Sequence, residues 1–382
     1  MKIVCFSEIQ WRYLRTRKQQ ILSRLPADWE ILFLSSVVRG RKNNFLPKRE
    51  GRIVHVCIPV FKNFPQVPVR AFFSVPLFRF LWNAVLYLWL NVIFTITGFT
   101  GRQRVFYVSN IYYASILGLL PRAFMLYDCN DDPLGFPGTP GWAKGYFERL
   151  TGDADTVVAV STGLAGILRR SGAGAVHRIA NGVDFDLFSR AAAAGTPDEL
   201  QELARPLIGY VGAIAHWFDF DLVERIAGAH PSGSLVLIGP VYRDVEGRLR
   251  GVMERRPNVC HIGPRPYERL GAYIASLDVC LIPLEVNELR RMADPNKLYE
   301  YAAGGKPIVT MKYSEDMESV ADFVYLAESA DEFLEKVEAA LKKGGDAERL
   351  TAFARESSWQ ARADAITRLI LEGVREAGAE SR

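Results

Sequence analysis

Hydrophobic residues fall along this chain in short unbroken runs, separated by longer stretches with helical spacing. Residues 2–7, 29–35, 53–59, 105–109, 124–128 and 156–160 are apolar almost throughout. Strands covered on both faces read this way, as continuous rather than alternating runs. Between the first two, residues 11–25 carry Trp11, Leu14, Ile21, Leu22 and Leu25 with helical spacing, and Arg12, Arg15, Arg17, Lys18, Gln19 and Gln20 at the polar positions. Residues 38–52 are basic and irregular, broken by Asn43-Asn44 and Pro47. Helices are expected over 111–120, 142–150 and 164–170, and a last strand over 176–179. This alternation predicts a doubly wound parallel sheet.

The pattern restarts at residues 206–212 and continues through strands at 234–239, 259–262 and 278–283 to a strand beginning at Ile308-Val309. Residues 347–371 read as one long amphipathic helix with Trp359 near its start. The small residues 191–196 look like the beginning of a linker. The expected organisation is therefore α/β, with two Rossmann-like domains at 1–195 and 196–382. Neither first strand is followed by a Gly-x-Gly-x-x-Gly turn, which leaves a dinucleotide site unsupported.

Residues 71–99 depart from the pattern. No charge occurs from Phe80 to Phe99, and about 20 apolar residues are enough to cross a bilayer. A spanning helix would separate the apolar strands on either side of it. The reading adopted is a helix lying in the bilayer surface, with Trp82, Tyr87 and Trp89 at headgroup depth and nearby basic groups on anionic lipid. The alternative is a buried helix of the sheet.

Charge sharpens this reading. The chain of 382 residues has a net charge of only +4. Residues 1–190, however, hold 24 Lys and Arg against 12 Asp and Glu, leaving 23 against 31 for the remainder. A basic first half suits an anionic partner, although a solvated basic face has the same composition. The five cysteines are scattered and contain no Cys-x-x-Cys pair, which argues for a reducing compartment and against a zinc site. The first residues read as a strand, not a signal peptide.

Two stretches carry candidate chemistry. Residues 287–310 read as a polar loop, a short helix entered at Pro295, a stop at Gly304-Gly305 and a buried strand. Asn296, Lys297 and Leu298 then open a helix whose free N–H groups and dipole favour an anion. Lys297 adds a full charge, and Glu300 lies one turn later, where it can accept bonds from hydroxyls. Phosphate beside hydroxyls is the outline of a nucleotide sugar. Gly212, after its apolar strand, lets a backbone or ligand approach closely, and His216 could touch a phosphate or stand idle in its loop. The second stretch is Tyr127-Asp128-Cys129-Asn130-Asp131-Asp132-Pro133, just beyond a strand end, where open α/β sheets bind ligands. Mutual repulsion among Asp128, Asp131 and Asp132 can leave one of them basic. The same residues can equally build a turn, or hold a magnesium ion.

The phrases Ala180-Asn-Gly-Val-Asp184, Leu207-Ile-Gly-Tyr-Val-Gly212, Pro264-Arg-Pro-Tyr-Glu-Arg-Leu270 and residues 294–309 resemble, in that order, the GT-B glycosyltransferases of family 4, the glycosyltransferase group 1 type. The likeness is to members serving bacterial teichuronic acid and exopolysaccharide synthesis. It implies two doubly wound domains facing across a cleft, with a nucleotide-sugar donor in the C-terminal domain and an acceptor in the N-terminal one. The last helix, about 350–372, would cross back to the first domain. The resemblance also implies that Glu300 holds the donor ribose, Lys297 the phosphates, and the backbone around Arg265 the base, with Asp128 near the catalytic centre. Met292 stands where the family has another Glu, and Ala213 and Phe218 stand near its usual Arg and Lys. Arg290 or Arg291 would then assist Lys297.

The expected activity is transfer of a sugar from a UDP-sugar to a lipid-linked saccharide, without a metal or further cofactor. The protein would sit on the cytoplasmic face of the cell membrane. Arg12, Arg15, Arg17, Lys18, Trp82 and Trp89 would face the acceptor or the membrane, and no nucleic acid is expected as a partner. A sugar-nucleotide epimerase and a silent nucleotide-binding scaffold share this architecture.

Overall fold

The structure is a computed structural model that describes residues 1–12, 15–38, 42–61, 67–136 and 138–380. The chain forms two compact units, residues 1–180 with 362–382, and residues 181–361.

The first unit holds an eight-stranded sheet. Its strands are β1 (Lys2–Ser7), β2 (Glu30–Val37), β3 (Lys48–Glu50), β4 (Ile53–Phe61), β5 (Arg104–Val108), β6 (Phe124–Cys129), β7 (Thr156–Ala159) and β8 (Val176–Arg178). The order is β3-β4-β2-β1-β5-β6-β7-β8, parallel apart from β3, which runs antiparallel to β4. The chain winds outward from β1 through β2 to β4, then returns to β5 on the other side. β1 and β5, in register from Lys2 opposite Arg104 to Phe6 opposite Val108, flank the switch point. Ile3–Phe6 and Val105–Val108 are buried completely, as two-sided coverage requires.

Several expected helices are shorter. In place of a helix over 11–25 there is one at Arg17–Arg24; Leu14 lies outside the described residues. The region 111–120 is a 3₁₀ turn, Ile111–Tyr113, followed by one α turn, Ala114–Leu117. The basic segment 38–52 contains β3, so it is not wholly irregular.

Pro76–Thr97 is a 22-residue helix, opened by Pro76 at its first turn and closed by Gly98 at φ 76°. It joins β4 to β5 of one sheet and therefore lies alongside the sheet instead of threading a membrane. Leu86, Leu90, Ile93 and Phe94 pack inward. Leu81, Val85, Leu88, Val92 and Ile96 stand exposed along the opposite stripe. Trp89 is on the exposed side. Trp82, expected at headgroup depth, turns inward and donates its Nε1 hydrogen to the Pro59 carbonyl at 3.1 Å. Trp82 thus braces the helix to β4.

The second unit holds β9 (Leu207–Val211), β10 (Ser234–Ile238), β11 (Val259–Gly263), β12 (Val279–Ile282), β13 (Ile308–Met311) and β14 (Tyr325–Ala327). All pair in parallel in the order β11-β10-β9-β12-β13-β14, which places a second switch point between β9 and β12. Residues 181–206 are packed parts of this unit. The Asn181 backbone N–H reaches Asp294 at 2.6 Å, Val183 pairs with Ser358, and Glu199 accepts from Arg265 at 3.0 Å. That pairing also explains why residues 347–371 are not one helix. Helices Ala347–Glu356 and Trp359–Glu380 are separated at Ser357-Ser358, where Val183 donates to Ser357 and accepts from Trp359. The second of these helices begins in this unit, and its residues from 362 onward belong to the first. There Gly373 lies so close to Phe124 that a Cβ would overlap the ring.

Candidate functional site

In the second unit the chemistry gathers at the β9/β12 switch point, outside the carboxyl ends of the strands. The helix Asn296–Ala303 begins after Pro295 without a side-chain cap, so its first N–H groups remain available to an anion. It ends with Gly305 at φ 63°, whose N–H bonds back to Ala302. Leu298 is buried and faces the core, so its side chain is not placed to contact a donor.

Tyr301 fixes this helix against β9. Its buried hydroxyl accepts from the Val211 N–H at 2.8 Å and donates to the Val211 carbonyl at 3.3 Å. The next residue, Gly212, sits at φ 153° directly under Lys297. A Cβ at Gly212 would overlap Lys297 Cε and stand 2.6 Å from Nζ. Nζ lies 5.2 Å from the centre of the Tyr210 ring. Gly239 completes the close packing, because a Cβ there would overlap the Gly212 carbonyl. The glycines thus leave room for a lysine to cross the strand end with its ammonium at the helix entrance.

Glu300 lies within the same helix, 9% exposed. Burial pushes its carboxyl up to about 7, against the opposing pull of Lys297 and a hydrogen bond from Tyr267. The Oδ1 of Asn296 is buried without a protein partner among the described residues. A buried acceptor of this kind is normally satisfied by water or a ligand. Asp294 ties the approach to the helix, accepting from Asn181 and from the Tyr299 hydroxyl at 2.9 Å.

The remaining predicted donor residues are more scattered. Arg265 does not offer a free side chain, because it donates to Glu199 and, at 3.0 Å, to the Tyr273 hydroxyl. His216 is exposed, edge-on to Trp217 at 4.8 Å. Arg291 is exposed at the end of the short helix Glu288–Arg291.

The first unit has its own cavity of mixed polar and apolar lining at the β1/β5 switch point, about 620 Å³ including its open mouth. Glu8 after β1, Ser109 and Asn110 after β5, and Asn130 and Asp131 after β6 line it. Of the three predicted acids, only Asp131 faces this space. Asp128 is fully buried and shares the single Nε–H of Arg17 between its two oxygens at 2.9 and 3.1 Å, and also accepts from the Tyr107 hydroxyl. With its charge compensated inside the core, it is not placed to act as a base. Asp132 accepts from the Leu134 N–H at 2.9 Å, the turn role.

The same packing corrects the basic face. Arg17 and Lys18 are buried, the latter against Glu8 at 2.5 Å, so neither offers a surface charge to lipid. Arg12 and Arg15 are exposed, with Arg12 paired to Glu50 at 2.6 Å. Glu8 was missed in the sequence. An acid immediately after the first strand, at a switch point, is the signal that could have found it. Tyr210 and Tyr267 were missed because only the assembled sheet sets them beside Lys297 and Glu300.

Residues 221–368 match the sequence model of the family described as glycosyl transferase-like. The chain is 26% identical over 174 residues to a Bacillus subtilis (strain 168) protein named for teichuronic acid biosynthesis, the glycosyltransferase TuaH. That match covers 45% of this chain and 44% of the relative, so it spans less than half of the curated protein's length. Among solved structures, sucrose-phosphate synthase from Thermosynechococcus elongatus superposes with a TM-score of 0.70 at 14% identity, covering 97% of this chain and 99% of its own. The E. coli trehalose-6-phosphate structure bound with UDP-2-fluoro glucose has a TM-score of 0.69 at 12% identity, with 99% and 97% covered. Anabaena HepE in complex with UDP has 0.63 at 14%, with 97% and 100% covered. At these identities the structural likeness is one of fold.

Proposed function

We propose that the chain is a glycosyltransferase of the family 4, glycosyltransferase group 1 type, and that it transfers a sugar from a UDP-sugar to a lipid-linked saccharide during bacterial cell-surface polysaccharide synthesis. The observation that carries this reading is the seating of Lys297 over Gly212 at an uncapped helix N-terminus, with buried Glu300 in the same helix. UDP compounds in two structures of the same fold support the choice of nucleotide. The teichuronic acid relative supports a cell-surface product.

In this reading the bond between the anomeric carbon and the β-phosphate oxygen breaks, and a bond to the acceptor oxygen forms. Negative charge grows on the departing diphosphate, where Lys297 and the helix N–H groups stabilise it more in the transition state than in the ground state. Glu300 accepts from the ribose hydroxyls. If the anomeric configuration inverts, the acceptor's proton passes to a carboxylate, for which Asp131 of the first unit is the candidate; if it is retained, that acid only orients the sugar. The exposed stripe of the Pro76–Thr97 helix supports peripheral attachment to the inner face of the membrane.

Lys297→Ala tests the reading. Removing a charge-assisted contact to phosphate costs about 1.5–3 kcal/mol, roughly ten- to a hundredfold in UDP affinity measured by calorimetry. The melting temperature without ligand should hold, because the ammonium is not part of the core. Undiminished UDP binding and turnover in this variant would refute the assignment. A thermal-shift panel in which GDP or ADP stabilises the protein more than UDP would refute the choice of nucleotide.

A further inference from the structure

Glu300 has a partner outside its own helix. The Tyr267 hydroxyl, on the loop after β11, donates a hydrogen bond to its carboxyl. The loop leaves β11 through Gly263, at φ 84°, and carries Pro264 and Pro266, whose rings fix φ. Tyr267 then opens a single 3₁₀ turn, Tyr267–Arg269. The loop is fastened on both sides of Tyr267. Before it, Arg265 donates to Glu199 and to the Tyr273 hydroxyl, each at 3.0 Å, and Tyr273 donates to the same Glu199 oxygen at 3.1 Å. After it, Gly271 packs so close that a Cβ would overlap that of Ala191. The Tyr267 ring itself meets the buried Phe188 ring edge-on, with centres 5.4 Å apart. A side chain held in this way is in place before any ligand arrives.

A carboxylate offers about four lone-pair directions. Tyr267 fills one of them, and the neighbouring hydroxyls of a ribose need two more. We propose that Tyr267 is the positioning residue of the donor site, turning the Glu300 carboxylate so that both ribose hydroxyls donate to it, and that the site thereby selects ribonucleotides over 2′-deoxyribonucleotides. This role rests on the ribose contact proposed for Glu300 and adds to it the group that orients the carboxylate. The groups acting on that carboxylate are Lys297 on its own helix and Tyr267 on the loop, and both favour its charged form against burial. Tyr301, on the same helix, is bound to Val211 instead. Without the Tyr267 hydrogen, Glu300 keeps its proton to higher pH and accepts from the ribose less well near neutrality.

The test measures the affinity of the full chain for UDP and for 2′-deoxyuridine diphosphate by calorimetry, at about pH 7 and about pH 9, where Glu300 passes from partly to fully charged. Tyr267→Phe, Glu300→Gln and the double variant are read beside the unaltered protein, so the titration of the ligand itself cancels. Phe keeps the ring against Phe188, and the melting temperature should hold. The unaltered protein should prefer UDP about tenfold at the higher pH, the worth of one hydrogen bond to a charged group. Tyr267→Phe should narrow that preference to about threefold, and should weaken UDP about threefold at the higher pH and about tenfold at the lower. Adding Tyr267→Phe to Glu300→Gln should change nothing further, because Tyr267 acts through Glu300. An unchanged preference in Tyr267→Phe, an equal loss for both nucleotides at both pH values, or full additivity with Glu300→Gln would overturn the proposal and leave the UDP-sugar reading standing. Binding of ADP or GDP in place of UDP would defeat only the choice of base, and that nucleotide with its 2′-deoxy form would then decide Tyr267. Equal affinity of the unaltered protein for the ribo and deoxyribo forms, or binding of neither, would remove the ribose contact and the proposal with it.

Discussion

Glu300→Gln separates the cost of the proposed donor site from its use. The Glu300 carboxyl is raised from an ordinary 4.5 to about 7, chiefly by burial. That rise corresponds to up to about 3 kcal/mol. The direction follows from proton counting. Below about pH 4.5 the carboxyl is neutral in the folded and unfolded chain alike, and Glu300 costs nothing relative to Gln. Between about 4.5 and 7 the unfolded chain releases the proton while the folded chain keeps it, so stability falls as pH rises. Above about 7 the folded protein carries a buried carboxylate and the full cost is present. Glu300→Gln keeps the shape and removes the charge. It should therefore match the unaltered protein near pH 4.5 and exceed it by up to about 3 kcal/mol at pH 8.5 in urea-induced unfolding. UDP affinity should move the other way, because an amide accepts ribose hydroxyls through one oxygen instead of two. Parallel stability curves for the two proteins between pH 4.5 and 8.5 would refute the argument that burial without full compensation sets this carboxyl. A more stable variant with unchanged UDP affinity would leave the stability argument standing and remove Glu300 from the donor site.

Other perturbations test the framework. Arg17→Met leaves Asp128 charged and buried, and should cost about 3–5 kcal/mol in chemical unfolding. Adding Asp128→Leu should recover most of that loss, which no catalytic role for Asp128 alone would predict. Gly212→Ala should displace Lys297 and strain a φ that favours glycine, lowering UDP affinity with a smaller effect on the melting temperature. Gly239→Ala presses on backbone instead of a flexible side chain, so its melting temperature should fall further than that of Gly212→Ala. Tyr301→Phe removes the hydroxyl that satisfies the buried Val211 N–H and should cost about 1–3 kcal/mol in thermal or urea unfolding.

Both parallel sheets were legible in the sequence because their strands are buried on two faces, and continuous apolar runs such as residues 2–7 and 124–128 have few other uses. The helix at Asn296–Ala303 was legible as well: Pro295, which lacks an N–H, suits its entry, and Gly305 follows its end at a positive φ that other residues rarely adopt. Lys297 and Glu300 followed from helical spacing alone. Charge was read less well, because composition does not say where a charge ends up. Arg17, Lys18 and Asp128 look like surface or active-site groups in a linear chain, yet all three are buried: Arg17 and Asp128 pair with each other across 111 residues, and Lys18 pairs with Glu8. The alanines at 191–194 read as flexible until the sheet of residues 207–327 is in place for residues 181–206 to pack on. The helix break at Ser357-Ser358 depends in the same way on Val183. The sequence determined the strands, the glycines and the helix that can hold a phosphate, since these follow from local backbone preference and burial period. Tertiary structure decided which carboxylates face a cavity, because pairing across the sheet buries Asp128 and leaves Glu8 and Asp131 at the switch point.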